Sequence, residues 1–423
     1  MAWKLLSTMA TKVFTLFIFS FASGIFVSSF IFLSPLPAAL IAVVGLALLV
    51  DKNAFFIALA VISFGLGVLR YDIKDFHEVV EPESAGIITS EPEEKENSKK
   101  FVLKSDNGEK VLVYAPLFSS IQYGDRVEVE GELEPAEKYL SRDDIYYTLS
   151  FGDVRVLERN EGNPIKSALF KIKNNFIEQI NKILPEPESG LLSGLLVAGK
   201  GTLPKNLLDQ FSQAGIIHIV VLSGFNITII AEFIRKVFRS RTAALLGIIL
   251  FVVMTGAQAS IVRAAIMASI VIWGKLIGRG YSASRALVFA AFLMILINPK
   301  IMVFDRSFQL SFLATLGLIY FMKPINAKLH WITERWKIRE TVSQTLATQM
   351  AVFPLLLAST DTFSPLFLPA NVLTLLAVPY TMLVGFLAIL VSYLNILVAL
   401  PLTYLTHLML SWILLVAQLF GSF

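Results

Sequence analysis

Long apolar runs separated by short polar ones make up most of the 423-residue chain. Residues 13–33 form the first run, after Lys4 and Lys12; residues 38–50 and 54–69 follow, with Asp51 and Lys52 as a tight turn between them. A bilayer core of about 30 Å takes roughly 20 apolar helical residues, so these read as retained membrane helices. Further runs at about 243–258, 262–277, 286–298, 304–322, 342–359, 370–395 and 400–420 continue the pattern. Residues 215–232 are also apolar enough to cross, which brings the expectation to about eleven spans.

The pattern changes between Arg70 and Asn163. Short alternating segments begin at Gly86, Phe101, Lys110, Arg126 and Val154, and Val127 to Leu133 has the period of two expected of a strand with one apolar face. Asn107-Gly108 and Gly124-Asp125 are turn signals. About five short strands in about 90 residues predict a small OB-like β domain. Beyond it, residues 165–184 place Ile165, Leu169, Ile172, Phe176, Ile180 and Ile183 on one helical stripe, with Lys166, Lys171, Lys173 and Lys182 mostly off it. This predicts an amphipathic helix at the membrane surface, ended by Pro185 and Pro187. A short apolar piece, 189–201, and a second amphipathic segment, 204–214, are expected at the interface. The expected organisation is therefore N-terminal membrane helices over 1–69, an external β domain over 70–163, interfacial helices over 164–214 and a membrane domain over 215–423.

Composition supports a polytopic α-helical membrane protein: 55% of residues are hydrophobic and the mean hydropathy is +0.69. Residues 70–163 hold 12 basic and 22 acidic residues, leaving 24 basic and 10 acidic elsewhere, so an acidic insertion interrupts a basic membrane part. The chain has no cysteine and four histidines, His77, His218, His330 and His407. That excludes a disulfide framework, Cys-based zinc sites and thiol catalysis, and no cofactor or metal is expected. The basic loop Arg235, Lys236, Arg239 and Arg241 is expected on the cytoplasmic side. Counting crossings from a cytoplasmic N-terminus puts Arg279, Arg285, Lys323, Lys328, Arg335, Lys337 and Arg339 on that side too, and residues 70–163 outside.

Polar groups inside apolar runs carry the candidate chemistry, because at membrane depth they are costly unless they face a partner or a water-filled pathway. The stretch 215–232 contains His218, Ser223, Gly224, Asn226, Thr228 and Glu232. Three other places add Arg263, then Asp305, Arg306, Gln309 and Ser311, then Gln349 and Asn371. Each also has a plain structural reading. Arg263 can snorkel to an interface, Asp305 and Arg306 can pair at a helix start, and Asn371 can cap a helix.

The Gly-x-x-His-x-x-x-x-Ser-Gly-x-Asn pattern over 215–226 resembles the core motif of ComEC-type competence proteins. The resemblance extends to Ile261–Met267 around Arg263, to Phe308–Phe312, to Phe363–Leu373 around Asn371 and to Tyr123–Pro135 in the β region. It implies an inner-membrane channel for single-stranded DNA in natural transformation, with an OB-like external domain. Implied partners are single-stranded DNA, membrane lipid, a separate DNA receptor and a cytoplasmic motor or single-strand-binding proteins. Asn226 stands where the family usually has a second His, and it cannot take up a proton. Larger members carry a C-terminal metallo-β-lactamase-like domain; this chain reads as a short form without it, and if it is complete, nuclease activity is expected to come from elsewhere or to be absent.

The residues themselves leave two other readings. Breaks near Ser223-Gly224 and Pro369–Pro379 suit a secondary transporter of a smaller solute, although no inverted repeat is evident. An intramembrane hydrolase built on Ser223 and His218 is disfavoured: five residues turn a helix by about 500°, leaving the two side chains about 140° apart. There is no Gly-x-x-x-x-Gly-Lys-Ser/Thr phosphate loop, so a separate motor or the proton gradient is implied as energy source.

Overall fold

A computed structural model describes residues 2–31, 35–75, 81–95, 97–150, 153–199, 203–220, 236, 240–276, 282–359, 364 and 366–422. In chain order it forms α1 (Ala2–Ser28), α2 (Pro35–Leu48) and α3 (Phe55–Asp75). Strands follow as β1 (Ala85–Ile88), β2 (Glu93–Glu94), β3 (Ser98–Ser105), β4 (Lys110–Pro116), β5 (Arg126–Glu130), β6 (Leu133–Pro135), β7 (Ile145–Ser150) and β8 (Asp153–Glu158). Next come α4 (Pro164–Ile183), α5 (Glu188–Val197), α6 (Lys205–Gln213), α7 (Ile217–Val220), α8 (Arg241–Met254) and α9 (Ala259–Leu276). The chain continues through α10 (Ala283–Ile297), α11 (Ile301–Phe304), α12 (Arg306–Tyr320), α13 (Met322–Lys328), α14 (Ile338–Ser359), α15 (Phe367–Leu394) and α16 (Ile396–Phe420).

Among the described residues, α3, α14, α15 and α16 are long and apolar enough to cross a membrane, and α12 with α13 makes a fifth if that bent pair is one span. The expectation of about eleven is met in number by this set only in part. Shorter apolar helices lie at Lys12–Ser28, Leu36–Leu48, Glu188–Val197, Thr242–Met254, Ala259–Gly274 and Ala283–Ile297. At 1.5 Å per residue, a 14-residue helix reaches only about 21 Å, short of a bilayer core. Part of the expected span 215–232 falls outside the described residues.

The chain divides into two compact units, and the division does not follow sequence order. The first comprises Met1–Glu81, Ala136–Tyr146 and Tyr281–Gln309; the second comprises Pro82–Pro135, Tyr147–Gly280 and Leu310–Phe423.

In the first unit α1 and α3 touch backbone to backbone. A Cβ at Gly24 would collide with the Phe64 carbonyl, and one at Gly67 with the Phe21 carbonyl, so hydrogen at both positions is what permits the approach. Phe21 stacks on Phe17 and meets Phe292 of α10 edge-on at 5.5 Å. Polar anchors close the end of this bundle. Arg70 donates to the last carbonyls of α10, Leu296 O at 2.8 Å and Ile297 O at 2.7 Å, which the helix itself leaves unpaired. Lys74 pairs with Asp144 at 2.6 Å. Lys300, 1% exposed, pairs with Asp75 at 2.7 Å and donates to the Tyr146 hydroxyl at 2.9 Å, with its ammonium 5.3 Å from that ring's centre.

The second unit contains the sheet and a helical core. The sheet order is β6-β7-β4-β3-β1-β5-β8, with β2 also on β3. Pairs β1–β3, β1–β5, β3–β4, β5–β8 and β6–β7 are antiparallel. The alternation seen in the sequence buries Phe101 and Leu103 of β3, Val111 and Val113 of β4, and Val127 and Val129 of β5 on one face. Gly108, at φ 95°, makes the predicted β3–β4 turn. The sheet has more strands than the five expected: Glu93–Glu94 and Leu133–Pro135 are too short to show alternation, and Ile145–Ser150 is a further strand whose Tyr147 and Leu149 pack on the sheet core. Helix α4 starts where Asn163 Oδ1 accepts from the amides of Ile165 and Lys166 at 3.0 and 3.2 Å. Its Lys173, 3% exposed, pairs with Glu91 at 2.6 Å.

All ten residues of α5, a segment expected at the interface, are buried. Leu191, Leu192 and Leu195 pack with Phe211 of α6, Met382 and Ile389 of α15, and Ile413 of α16. Outward, α16 exposes Leu397, Leu408, Leu415 and Leu419, the apolar surface of a membrane helix.

Burial works against the Lys300 charge, but the hydrogen bonds it donates to Asp75 and Tyr146 outweigh it and hold its pKa above the ordinary lysine value. Lys300→Met should destabilise the protein by about 2 kcal/mol, less than for a fully enclosed pair because Asp75 is partly exposed. This is measurable by chemical unfolding in detergent. Because the folded pKa is the higher one, the wild-type advantage over the variant should be whole below about pH 10.4 and be lost as pH rises from there through the folded value. Gly67→Leu should lower the folded fraction in the membrane, read by protease protection of the first unit, since its side chain would enter the Phe21 backbone.

Candidate functional site

In the second unit the expected residues Arg263 and Ser311 meet. Arg263 lies half-buried on α9, and its Nε donates to Ser311 Oγ at 2.8 Å. Its Nη1 donates to the Thr315 hydroxyl, and Thr315 in turn donates to Ser311 O at 2.9 Å. Positions 311 and 315 are one helical turn apart, so α12 presents both hydroxyls on one face. The guanidinium centre sits 5.9 Å from the centre of the Phe312 ring, and Met267 Sδ lies 3.9 Å from Nη1. Among the described residues no carboxylate pairs with Arg263. Hydroxyls satisfy N–H donors but carry no charge, so the site retains a net positive charge and a planar donor face.

Asn371 is also in this unit, 4% exposed. Its Nδ2 donates to Phe367 O at 2.7 Å and to Gly215 O at 3.3 Å. Gly215, at φ 71°, leaves no room for a side chain: a Cβ there would stand 2.9 Å from Phe367 Cβ. Asn371 therefore clamps the first residue of the 215–232 stretch to the start of α15. His218, on α7, is exposed. Gln349 is half-buried on α14. Ser223, Gly224, Asn226, Thr228 and Glu232 lie outside the described residues.

Asp305, Arg306 and Gln309 belong to the first unit. Asp305 is 8% exposed; its Oδ1 accepts from the amides of Ser307 and Phe308 at 2.8 and 3.3 Å, and from Arg142 at 3.0 Å. That is an N-cap, with Arg142 rather than the neighbouring Arg306 as ion-pair partner. Arg306 is exposed. Gln309 Nε2 donates to the carbonyls of Met302 and Val303 at 3.0 and 2.9 Å, tying α11 to α12. Asp305 and Gln309 thus have structural work that accounts for their place in an apolar run.

Sequence reasoning missed Thr315, whose signal was a hydroxyl four residues after Ser311. It also missed the Glu188–Ser411 bond of 2.8 Å. Among the described residues no three His, Asp or Glu gather as a metal site.

A family model described as "Competence protein" matches residues 195–423. The ComE operon protein 3 of Bacillus subtilis (strain 168) is 22% identical over 362 residues, covering 77% of this chain and 45% of that protein. The chain thus spans a little under half the length of this relative. No solved structure matches it. With more than half of its length under one family model, including Arg263, Ser311 and Asn371, the chain belongs to the competence protein family.

Proposed function

We propose that the protein conducts single-stranded DNA across the cytoplasmic membrane during natural transformation. The observation that carries this reading is Arg263: a half-buried cation held by Ser311 and Thr315 hydroxyls, beside the Phe312 ring, with no carboxylate partner among the described residues. A strand needs positive charge for its phosphates and aromatic faces for its bases. The guanidinium offers a phosphate two parallel donors, and the hydroxyls hold it in place without neutralising it. A single such contact is also weak enough for the strand to move on.

In this reading the membrane part crosses about eleven times, with a cytoplasmic N-terminus and residues 70–163 outside as an OB-like domain. The counting of basic loops supports that orientation. His218, Ser223, Gly224, Asn226 and Thr228 line the same pathway, whose first residue Asn371 fixes through Gly215. The protein acts as a channel rather than an enzyme. A separate receptor delivers the DNA, and a cytoplasmic motor or single-strand-binding proteins draw it in.

Arg263→Gln should reduce internalised labelled DNA by at least tenfold while surface-bound DNA and the amount of protein in the membrane stay the same, the loss of one charge-assisted contact being about 1.5–3 kcal/mol. Arg263→Lys should restore only part of the uptake, because an ammonium cannot use both hydroxyls and a phosphate in the same plane. Uptake unchanged in Arg263→Gln would remove this site from the pathway. Asn371→Leu leaves the Gly215 carbonyl unpaired and should cost about 1–2 kcal/mol in stability. Its deficit should therefore track loss of folded protein, which distinguishes a clamp from a contact with DNA.

A further inference from the structure

We infer that the segment from Tyr320 to Glu340 holds the headgroup of an anionic phospholipid. The axis of the apolar helix α12 turns by 50° into α13. The cause is local: Pro324 has no N–H to donate and its ring crowds the carbonyl four residues back, at Tyr320, so a straight helix cannot pass through this point. Tyr320 at 59% and Phe321 at 41% are exposed at the turn, and Trp331 at 74% is exposed just beyond the far end of α13. Aromatic rings with a polar edge collect at the level of lipid headgroups, where one end is apolar and the other wet.

Between α13 and the start of α14 lies a cavity of about 560 Å³ lined in part by Lys323, Asn326, Lys337 and Glu340. Its basic groups differ in what they are free to do. Arg339 is committed: it donates to Glu334 Oε1 at 2.5 Å, to Ile332 O at 2.9 Å and to His330 O at 3.1 Å. Lys323 and Lys337 are exposed, and among the described residues neither has a carboxylate partner. Lys337 is held at φ 59°, in the left-handed region that L-residues rarely adopt.

Two ammonium groups with no carboxylate partner among the described residues, at the wall of a cavity in a segment that also exposes three aromatic rings, match a lipid phosphate with its acyl chains along α12. Glu340, whose Oε1 accepts only a long 3.4 Å bond from Gln344 among the described residues, lines the same cavity and can accept from a headgroup hydroxyl. A glycerol headgroup supplies both the negative charge and the hydroxyls. The strand itself is the other source of phosphate diesters, but its bases give no role to a belt facing outward at the end of an apolar helix. The inference stands on this segment alone and does not depend on the transport reading.

The test uses the full chain in detergent, titrated with phosphatidylglycerol or phosphatidylcholine, with bound lipid counted by native mass spectrometry. Phosphatidylglycerol should be retained in preference, and its apparent affinity should fall roughly fivefold with Lys323→Gln and roughly twentyfold with Lys323→Gln and Lys337→Gln together. Lys323→Arg keeps the charge and should keep the binding. Both lysines are exposed, so the variants should elute and unfold as the parent does. If the double variant misfolds, the Lys323→Gln and Lys323→Arg pair decides the matter. Equal retention of the two lipids, or phosphatidylglycerol binding indifferent to Lys323→Gln, overturns the inference. So does a short single-stranded oligonucleotide that displaces the lipid and itself loses affinity in Lys323→Gln, which would make the cavity a strand contact.

Discussion

Lys300 is withdrawn from water almost entirely, and it can stay charged there because Asp75 and Tyr146 meet it at 2.7 and 2.9 Å. That constraint, that every buried polar group must find its partner inside the protein, governs much of what surrounds it. In the same unit Arg70 completes the last turn of α10, Asp305 completes the first turn of α12, and Gln309 takes the two carbonyls that α11 leaves open. These contacts explain why residues so distant in sequence form one compact unit. The apolar packing of Phe17, Phe21 and Phe292 is non-directional, and by itself would leave helix rotation and register loosely fixed.

The second unit resolves the same constraint in another way at Arg263. Lys300 is answered by a carboxylate; among the described residues Arg263 is answered by hydroxyls, which take its Nε and one Nη1 N–H and leave its charge standing. A neutralised pair holds a fold together and offers little to an anion. A cation kept in place by uncharged partners is still available to one. This difference in partner chemistry, more than the presence of charge in an apolar run, separates a candidate pathway residue from a structural one. Asp305, Gln309 and Asn371 fall on the structural side by the same criterion, since each is occupied with backbone groups.

Glycine sets the other limit on the architecture. Gly24 and Gly67 let α1 and α3 approach until their backbones touch, and Gly317 does the same for α12 beside Ala347. Between such contacts the exposed faces of α15 and α16 remain apolar, as lipid contact requires. The buried α5 shows that hydrophobicity alone does not separate lipid contact from protein contact. Its Ser189, Gly190, Ser193 and Gly194 are small residues that let neighbours close over every face.

The sequence by itself determined the elements whose physics is local. Apolar run length marked the long helices, alternation marked β3, β4 and β5, and the three-to-four spacing from Ile165 to Ile183 marked α4, because periodicity depends on residues within a turn or two of one another. It also marked polar residues in apolar runs as needing partners. Only the tertiary structure decided who those partners are. Ser311 and Thr315 lie 48 and 52 positions from Arg263, and Arg142 reaches Asp305 in preference to the adjacent Arg306. A hydroxyl or a carboxylate looks the same in sequence whether it faces lipid, a backbone carbonyl or a guanidinium, and the packing of helices alone settles which of these it meets.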